Sequence, residues 1–175
     1  MEDKAWVHLL RNEKAGGVKN VLERWAPFTL SVVLVAFLVM YRDEVVARQA
    51  AKTLDFAALY SAALNWSSIQ TGFLFGIFGF VAGKNDGFIE AVKSTGEMRI
   101  FSRYMRLAMS LGFVVTIASI ALMVINFAIS DGSTVKYGIF CVWAFLTTWA
   151  FFSFARVAYV FGILVRTGEN TTTSA

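Results

Sequence analysis

Residues 137–165 read YGIFCVWAFLTTWAFFSFARVAYVFGILV, an apolar run that contains a single charged residue, Arg156. At 1.5 Å per residue, a helix of this length is about 43 Å long, which exceeds the roughly 30 Å hydrocarbon layer of a bilayer. Three other apolar runs precede it, at residues 26–41, 57–83 and 104–129. The pattern predicts an all-α, polytopic membrane protein with four transmembrane helices.

The composition of the whole chain agrees with this class. Of its 175 residues, 57% are hydrophobic and only 16% are charged, whereas a small soluble domain needs a larger polar surface. About 26 residues of mixed charge precede the first apolar run, so it does not have the form of a cleavable signal peptide. We divide the chain into a short amphipathic N-terminal segment (1–25), a four-helix membrane domain (26–166) and a polar tail (167–175).

The distribution of lysine and arginine predicts the orientation in the membrane. With the N-terminus inside, twelve of these residues lie on the inner side and four on the outer side, and positive charge is enriched in cytoplasmic loops. We therefore expect both termini in the cytoplasm. The inner set is Lys4, Arg11, Lys14, Lys19, Arg24, Lys84, Lys93, Arg99, Arg103, Arg106, Arg156 and Arg166; the outer set is Arg42, Arg48, Lys52 and Lys136.

A stripe of small residues runs along the second predicted span. Its members follow spacings of three and four residues, so they share one face of a helix, and the opposite face is predicted to be rich in phenylalanine. Small residues let two membrane helices approach closely, and serine or asparagine can add hydrogen bonds. The stripe therefore packs against another helix of the same chain, packs against a neighbouring subunit, or lines a water-filled path. The stripe is Ser61, Asn65, Ser68, Gly72, Gly76, Gly79 and Gly83, and the opposite face is Phe73, Phe75, Ile77, Phe78 and Phe80.

The third predicted span also has a polar face. Lipid cannot satisfy hydroxyl and amide groups, so we expect this face to make hydrogen bonds to other helices. It consists of Gly112, Thr116, Ser119, Met123, Asn126 and Ser130.

Two sets of arginines lie near the inner side. Arg99, Arg103 and Arg106 form a basic stripe, which would contact anionic lipid headgroups or dock an acidic partner. Arg156 is the only charge far from the ends of an apolar run, since Arg106 lies at the start of the third run. It either snorkels to the interface, pairs with Glu90 or Glu97, or caps an inward cavity. A cation–π contact is also possible, because Trp149, Phe152 and Tyr159 share its face.

Catalytic chemistry has no support in the residue pattern. His8 is the only histidine and Cys141 the only cysteine, so neither a histidine pair nor a cysteine cluster can hold a metal. The chain has no P-loop, no dinucleotide-binding glycine pattern and no G-x-S-x-G elbow. We expect no enzymatic activity, no cofactor and no direct binding of nucleic acid.

The order of spans resembles that of a known group of proteins. A glycine-rich span ends in FGIFGFVAG (75–83), a basic loop and third span read EMRIFSRYMRLAMSLGF (97–113), and the fourth span ends in FARVAYVFGILVR (154–166). This arrangement resembles the small four-span inner-membrane proteins of bacterial anti-phage systems, namely the RexB-like abortive-infection proteins and the membrane subunit of the Kiwa defence system. The resemblance implies a homo-oligomer in the bacterial inner membrane that responds to infection, either by depolarising the cell or through a cytoplasmic partner.

Two functional hypotheses follow. The first is a non-enzymatic membrane sensor or anchor that works with a cytoplasmic protein partner. The alternative is an ion-conducting pore, whose path would run along the small-residue stripe. A transporter is less well supported, because no span carries an acidic residue and no internal repeat is visible.

Overall fold

A computed structural model describes residues 18–83, 96–129 and 132–172, and these ranges are all-α. They contain five helices and no strand: α1 (Val18–Met40), α2 (Arg42–Ala50), α3 (Phe56–Gly83), α4 (Gly96–Val124) and α5 (Thr134–Thr172). The all-α prediction is confirmed. The short helix α2 lies in the first predicted connection, and α5 continues as a helix beyond 166, where a polar tail was predicted. Residues 1–17, most of the predicted N-terminal segment, lie outside the described ranges.

Two helical segments in the described ranges are long and apolar enough to cross a membrane. They are Phe101–Val124 and Thr134–Gly162, and only about a third of each is buried inside the protein. The apolar part of α1, Trp25–Met40, is shorter. The helix α3 spans 28 residues, carries polar residues such as Asn65 and Gln70 toward its middle, and is not one of these two segments. By length and composition, the structure thus supports a membrane protein with two spanning helices, where the sequence predicted four.

The surface of the long helices is apolar, which agrees with a lipid environment. Large hydrophobic side chains point outward along each of them, for example Val33 on α1, Ile69 on α3, Ile117 on α4 and Val142 on α5, each more than 60% exposed. Monomeric soluble proteins rarely expose apolar surface on this scale. The observation supports contact with lipid rather than with water.

The long helices are arranged as a row of neighbours and do not form a closed ring. The helix α4 packs against α3 on one side and against α5 on the other, and α1 packs chiefly against α5. Three apolar clusters form the core along the length of the bundle. The first, at the α2 end, is centred on Phe56, Tyr60 and Trp143, the second on Leu111, Val115 and Ala150, and the third, at the opposite end, on Leu74, Met105 and Val157.

Long-range polar contacts hold α2 and its flanks to the turn between α4 and α5. Arg42 donates hydrogen bonds to the Gly132 carbonyl (2.7 Å) and to the Thr134 hydroxyl (3.1 Å), and its guanidinium lies 5.6 Å from the centre of the Tyr137 ring. The Gln49 side chain accepts a hydrogen bond from the Ile129 N–H (2.8 Å). These contacts fix the α2 end of the bundle.

Asn126 ends helix α4 and is not part of a buried polar face. It adopts a left-handed conformation (φ 48°), which asparagine tolerates better than most residues. Its N–H bonds to the Met123 carbonyl (3.0 Å), and the Phe127 N–H bonds to the Leu122 carbonyl (2.9 Å), which is the Schellman arrangement of a helix end. The predicted interhelical role of Asn126 is therefore wrong, because the helix stops there and the side chain is exposed.

Candidate functional site

The small-residue stripe of α3 lies on the outside of the bundle. Asn65 and Ser68 are exposed and Ser61 is half-buried, and the glycines of the stripe are exposed as well. A methyl group built on Gly72, Gly76, Gly79 or Gly83 would meet no atom within 4 Å. The glycines of the stripe therefore do not pack against another described helix of the same chain.

The phenylalanines of α3 lie on both flanks of the helix and do not form one lipid-facing side opposite the stripe. Phe75 contacts Phe113 of α4 (ring centres 6.1 Å apart), whereas Phe73 contacts Phe154 of α5 (5.8 Å). Ile77, assigned to the same face, is buried in the core. The buried side of α3 thus falls between its phenylalanines.

That buried side carries a set of hydrogen bonds, which we call the polar seam: Ser67, Gln70 and Thr71 of α3, Gly112, Thr116 and Ser119 of α4, and Trp143 of α5. The Ser67 and Thr116 hydroxyls are 2.9 Å apart, and each is also within hydrogen-bonding distance of a carbonyl on its own helix. The Gln70 amide donates to the Ala108 carbonyl (3.2 Å), and the Trp143 indole donates to the Ser119 hydroxyl (3.0 Å). The predicted interhelical hydrogen bonds of Thr116 and Ser119 are confirmed.

Gly112 allows the two helices of the polar seam to approach closely. A methyl group at this position would lie 2.6 Å from the Thr71 hydroxyl oxygen, well inside van der Waals contact. The Thr71 hydroxyl is held in place because it donates to the Ser67 carbonyl (2.7 Å). Among the described helices, the glycine that permits a close helix–helix contact is therefore Gly112 of α4, and not a glycine of the α3 stripe.

Two buried polar atoms near the polar seam have no hydrogen-bond partner among the described residues. They are the carbonyl oxygen of the Gln70 side chain and the hydroxyl of Tyr60, and both residues are about 1% exposed. Neither residue belongs to the stripe or to the polar face that the sequence predicted. The sequence did contain one indication of the close contact between α3 and α4. Gly112 lies inside an apolar helix, and such a glycine often marks a place where two helices approach closely.

Two arginines of the predicted basic stripe, Arg103 and Arg106, are both exposed at the end of the bundle opposite α2. A cleft of about 340 Å³ opens there between α1, α4 and α5, and it takes in Arg103 and Arg156 but not Arg106. Arg106 is exposed and donates to the Ser102 carbonyl of its own helix (3.4 Å). The side chain of Arg99 lies outside the described part of the chain. The cleft is lined by Trp25, Pro27 and Phe28 of α1, Arg103, Tyr104 and Leu107 of α4, and Trp149, Ser153 and Arg156 of α5.

Arg156 makes its aromatic contact with the neighbouring helix. Its guanidinium carbon lies 4.0 Å from the centre of the Tyr104 ring, a cation–π distance. Of the ring partners predicted on α5 itself, Trp149 lines the same cleft as Arg156, whereas Tyr159 is 70% exposed. Pairing of Arg156 with Glu90 or Glu97 concerns side chains outside the described part of the chain.

A second, larger groove of about 580 Å³ separates α1 from α3 above the surface of α5. Its walls are Leu30, Val33, Leu34 and Phe37 of α1 and Leu59, Ala62, Ala63 and Trp66 of α3. Thr147 and Thr148 lie on its floor, but their hydroxyls donate to carbonyls of their own helix (2.9 and 2.8 Å). The groove therefore presents an almost wholly apolar surface, and its walls carry no acid or base for catalysis.

Among the residues that the structure describes, no three histidine, cysteine or acidic side chains come together in a way that could hold a metal ion. Comparison with protein-family models, with curated proteins and with solved structures finds no match for this chain.

Proposed function

We propose that the chain is an inner-membrane protein that crosses the bilayer four times through α1, α3, α4 and α5, with both termini in the cytoplasm. The outward-facing apolar side chains of all four helices support this arrangement. At about 1.5 Å per residue, the 28 residues of α3 reach about 42 Å, enough for a bilayer despite the polar first half. The lysine and arginine distribution supports the orientation, which places α2 outside.

We further propose that the small-residue stripe of α3 joins copies of the chain into a homo-oligomer. The observation that carries this proposal is Asn65, which is exposed on the same helix as the outward-facing Ile69 and, unlike the neighbouring Ser68, makes no hydrogen bond with the described residues. A lipid tail cannot satisfy an amide, whereas a facing helix can. The open space over Gly72 and Gly76 would let the backbone of that helix come close.

Two leucine variants test the oligomer. Gly76→Leu puts a large side chain into the middle of the proposed contact, where overpacking typically costs 1–3 kcal/mol at each interface. The matched control is Gly138→Leu, because Gly138 of α5 is also exposed and has open space around it, but lies away from the stripe. Native mass spectrometry should show a folded monomer for Gly76→Leu and an intact oligomer for Gly138→Leu. An unchanged oligomer in both variants would refute the proposed interface.

The function that we propose for this oligomer is a membrane sensor or anchor for a cytoplasmic protein. The helix α5 supports a docking role, because it continues to Thr172, about 10 Å beyond the apolar run that ends at Val165. The resemblance in span order to membrane proteins of anti-phage systems supports a role in defence. The test is co-purification of a cytosolic protein with the full chain and with a chain truncated after Gly162. Membrane insertion of both without any captured partner would contradict the anchor function.

An ion-conducting pore is the second candidate, and the same exposed face favours it. If several copies place Asn65 and Ser68 toward a common axis, their polar groups would line a path between subunits. Liposomes containing the protein should then conduct ions, and Asn65→Leu, which removes the polar amide from the path, should abolish the conductance. Electrically silent liposomes with a correctly inserted oligomer would exclude the pore.

A further inference from the structure

None of the residues that line the groove between α1 and α3 carries a charge. The polar groups of its floor are already bonded inside the protein: the hydroxyls of Thr147 and Thr148 donate to carbonyls of α5, and the Trp143 indole donates to Ser119. A charged or polar occupant would lose its solvation here without gaining partners on this floor. The chemistry of the groove therefore favours an uncharged hydrocarbon.

The groove lies in the half of the bundle nearest α2. Its lining residues span positions 30–37 of α1, 59–66 of α3 and 143–152 of α5. At 1.5 Å per residue, the two walls are about 10 Å long, the floor is about 14 Å long, and the walls begin about 5 Å from the α2 ends of α1 and α3. In the membrane arrangement proposed above, on which this inference rests, the groove runs along the outer leaflet, whose hydrocarbon is about 15 Å thick.

The width of the groove suits hydrocarbon chains better than a helix. Its volume of about 580 Å³, spread over a length of about 10–14 Å, gives a mean cross-section of about 40–60 Å². An α-helix with its side chains is about 10–12 Å wide, which corresponds to about 80–110 Å². Carbon atoms pack 3.5–4.0 Å apart, so a hydrocarbon chain needs about 20 Å². The groove thus has room for two such chains side by side.

The groove is also separate from the small-residue stripe. At 3.6 residues per turn, the groove residues Leu59, Ala62 and Trp66 are centred about a third of a turn away from Asn65 and Gly72 around α3. The oligomer contact proposed for the stripe therefore lies on a different side of this helix. The groove remains available to lipid.

We propose that this groove binds the acyl chains of one phospholipid of the outer leaflet and holds them more tightly than the lipid around the bundle. Chains in the groove are contacted from three sides, by α1, α3 and α5, whereas chains beside an exposed residue such as Val142 are contacted from one side. Because dispersion attraction adds up over many contacts, the enclosed chains are favoured. The lipid would bridge α1 and α3, which pack chiefly against other helices.

Native mass spectrometry of the purified full chain in mild detergent, titrated with phosphatidylethanolamine, tests the site. Ala62 is an exposed residue of the groove wall, so Ala62→Phe places a ring in the groove. This variant should bind the lipid about tenfold more weakly, the effect expected from losing roughly ten close carbon–carbon contacts. Ala36→Phe is the matched control, because Ala36 of α1 is also exposed but does not line the groove. It should bind like the wild type.

The same titration with phosphatidylglycerol of identical acyl chains tests the chemistry of recognition. The two lipids should bind equally well, because no charged side chain lines the groove. A clear preference for one headgroup would overturn the proposal. So would equal lipid binding by the wild type, Ala62→Phe and Ala36→Phe. Loss of the oligomer in Ala62→Phe with unchanged lipid binding would identify a second copy of the chain as the occupant.

A labelling experiment on the wild type decides the matter even if Ala62→Phe does not fold. Phosphatidylethanolamine with a diazirine on one acyl chain is added to the protein in detergent and activated by light. Peptides containing Phe37 and Trp66 of the groove should be labelled more than those containing Ile117 and Val142, which are exposed outside it. Uniform labelling would refute the site. A chain that fails to insert into membranes would instead refute the membrane arrangement.

Discussion

Replacing Gly112 with alanine tests the close contact between α3 and α4. The added methyl group would lie 2.6 Å from the Thr71 hydroxyl oxygen, whereas ordinary contact begins at 3.4 Å, so the two must separate by about 0.8 Å. The Thr71 hydroxyl is attached directly to the branched β-carbon, so it cannot move away through rotation of a long flexible side chain. Relief requires either a shift of the helices or loss of the Thr71 bond to the Ser67 carbonyl.

The expected cost follows from a matched comparison with Gly138→Ala. Both substitutions replace a glycine inside a helix and so share the gain in helix propensity, about 1 kcal/mol. Only Gly112→Ala meets a neighbouring atom, because Gly138 has nothing within 4 Å. The free energy of unfolding of Gly112→Ala should therefore be lower than that of Gly138→Ala by about 1–3 kcal/mol, the usual range for overpacking.

Unfolding by SDS in mixed micelles, followed by circular dichroism, measures this difference. Thr71→Ala removes the oxygen that causes the clash, so the double variant Thr71→Ala/Gly112→Ala should lose most of the penalty and show a coupling energy of similar size. Thr71→Ser keeps the oxygen and should not rescue Gly112→Ala. Equal stabilities of Gly112→Ala and Gly138→Ala, or rescue by both Thr71 variants, would refute the contact.

Two other predictions concern the α2 end of the bundle and the orientation. Asp55 accepts hydrogen bonds from the Ala57 and Ala58 N–H groups (2.9 and 3.2 Å), so Asp55→Ala should lower the unfolding free energy by about 0.5–2 kcal/mol. Asp43→Ala, at an exposed residue in the first turn of α2, should cost less, and equal losses would argue against the cap. In a Cys141→Ala background, an impermeant thiol reagent added to intact cells should label Ser133→Cys and not Ser174→Cys. Labelling at position 174 would reverse the proposed orientation.

The sequence predicted the helices better than it predicted which face of α3 is buried. Periodicity identifies sets of residues that share a face, but α3 carries two faces with small or polar residues. One contains Asn65 and Gly76, and the other contains Ser67 and Thr71. The choice between them depends on a partner helix: Gly112 makes room for Thr71, and Thr116 offers a hydroxyl to Ser67. That complementarity lies between two segments and is invisible in either one alone.

The cleft that Arg103 and Arg156 share and the α2 junction were hidden for a related reason. Spacing along α4 grouped Arg103 with Arg106, yet the structure groups Arg103 with Arg156, which is far away in the chain. Likewise Arg42 entered the sequence argument only as one of the outer charges, although it bonds to the carbonyl of Gly132, ninety positions later. Charge counting detects orientation, whereas the partners of a charge are set by tertiary packing.

The attachment of α1 to α5 has a consequence for biosynthesis. The helix α1 can meet its main partner only after α5 has been made, and the intervening chain takes on the order of 10 s to synthesise. In the proposed membrane arrangement, the side of α1 that later meets α5 must be stable in lipid during this delay. Its buried Ser31 is suited to this, because its hydroxyl donates to the Pro27 carbonyl of α1 itself (2.7 Å). Phe28, which later packs edge-on against Phe145 and Trp149, is apolar and therefore equally compatible with lipid before α5 arrives.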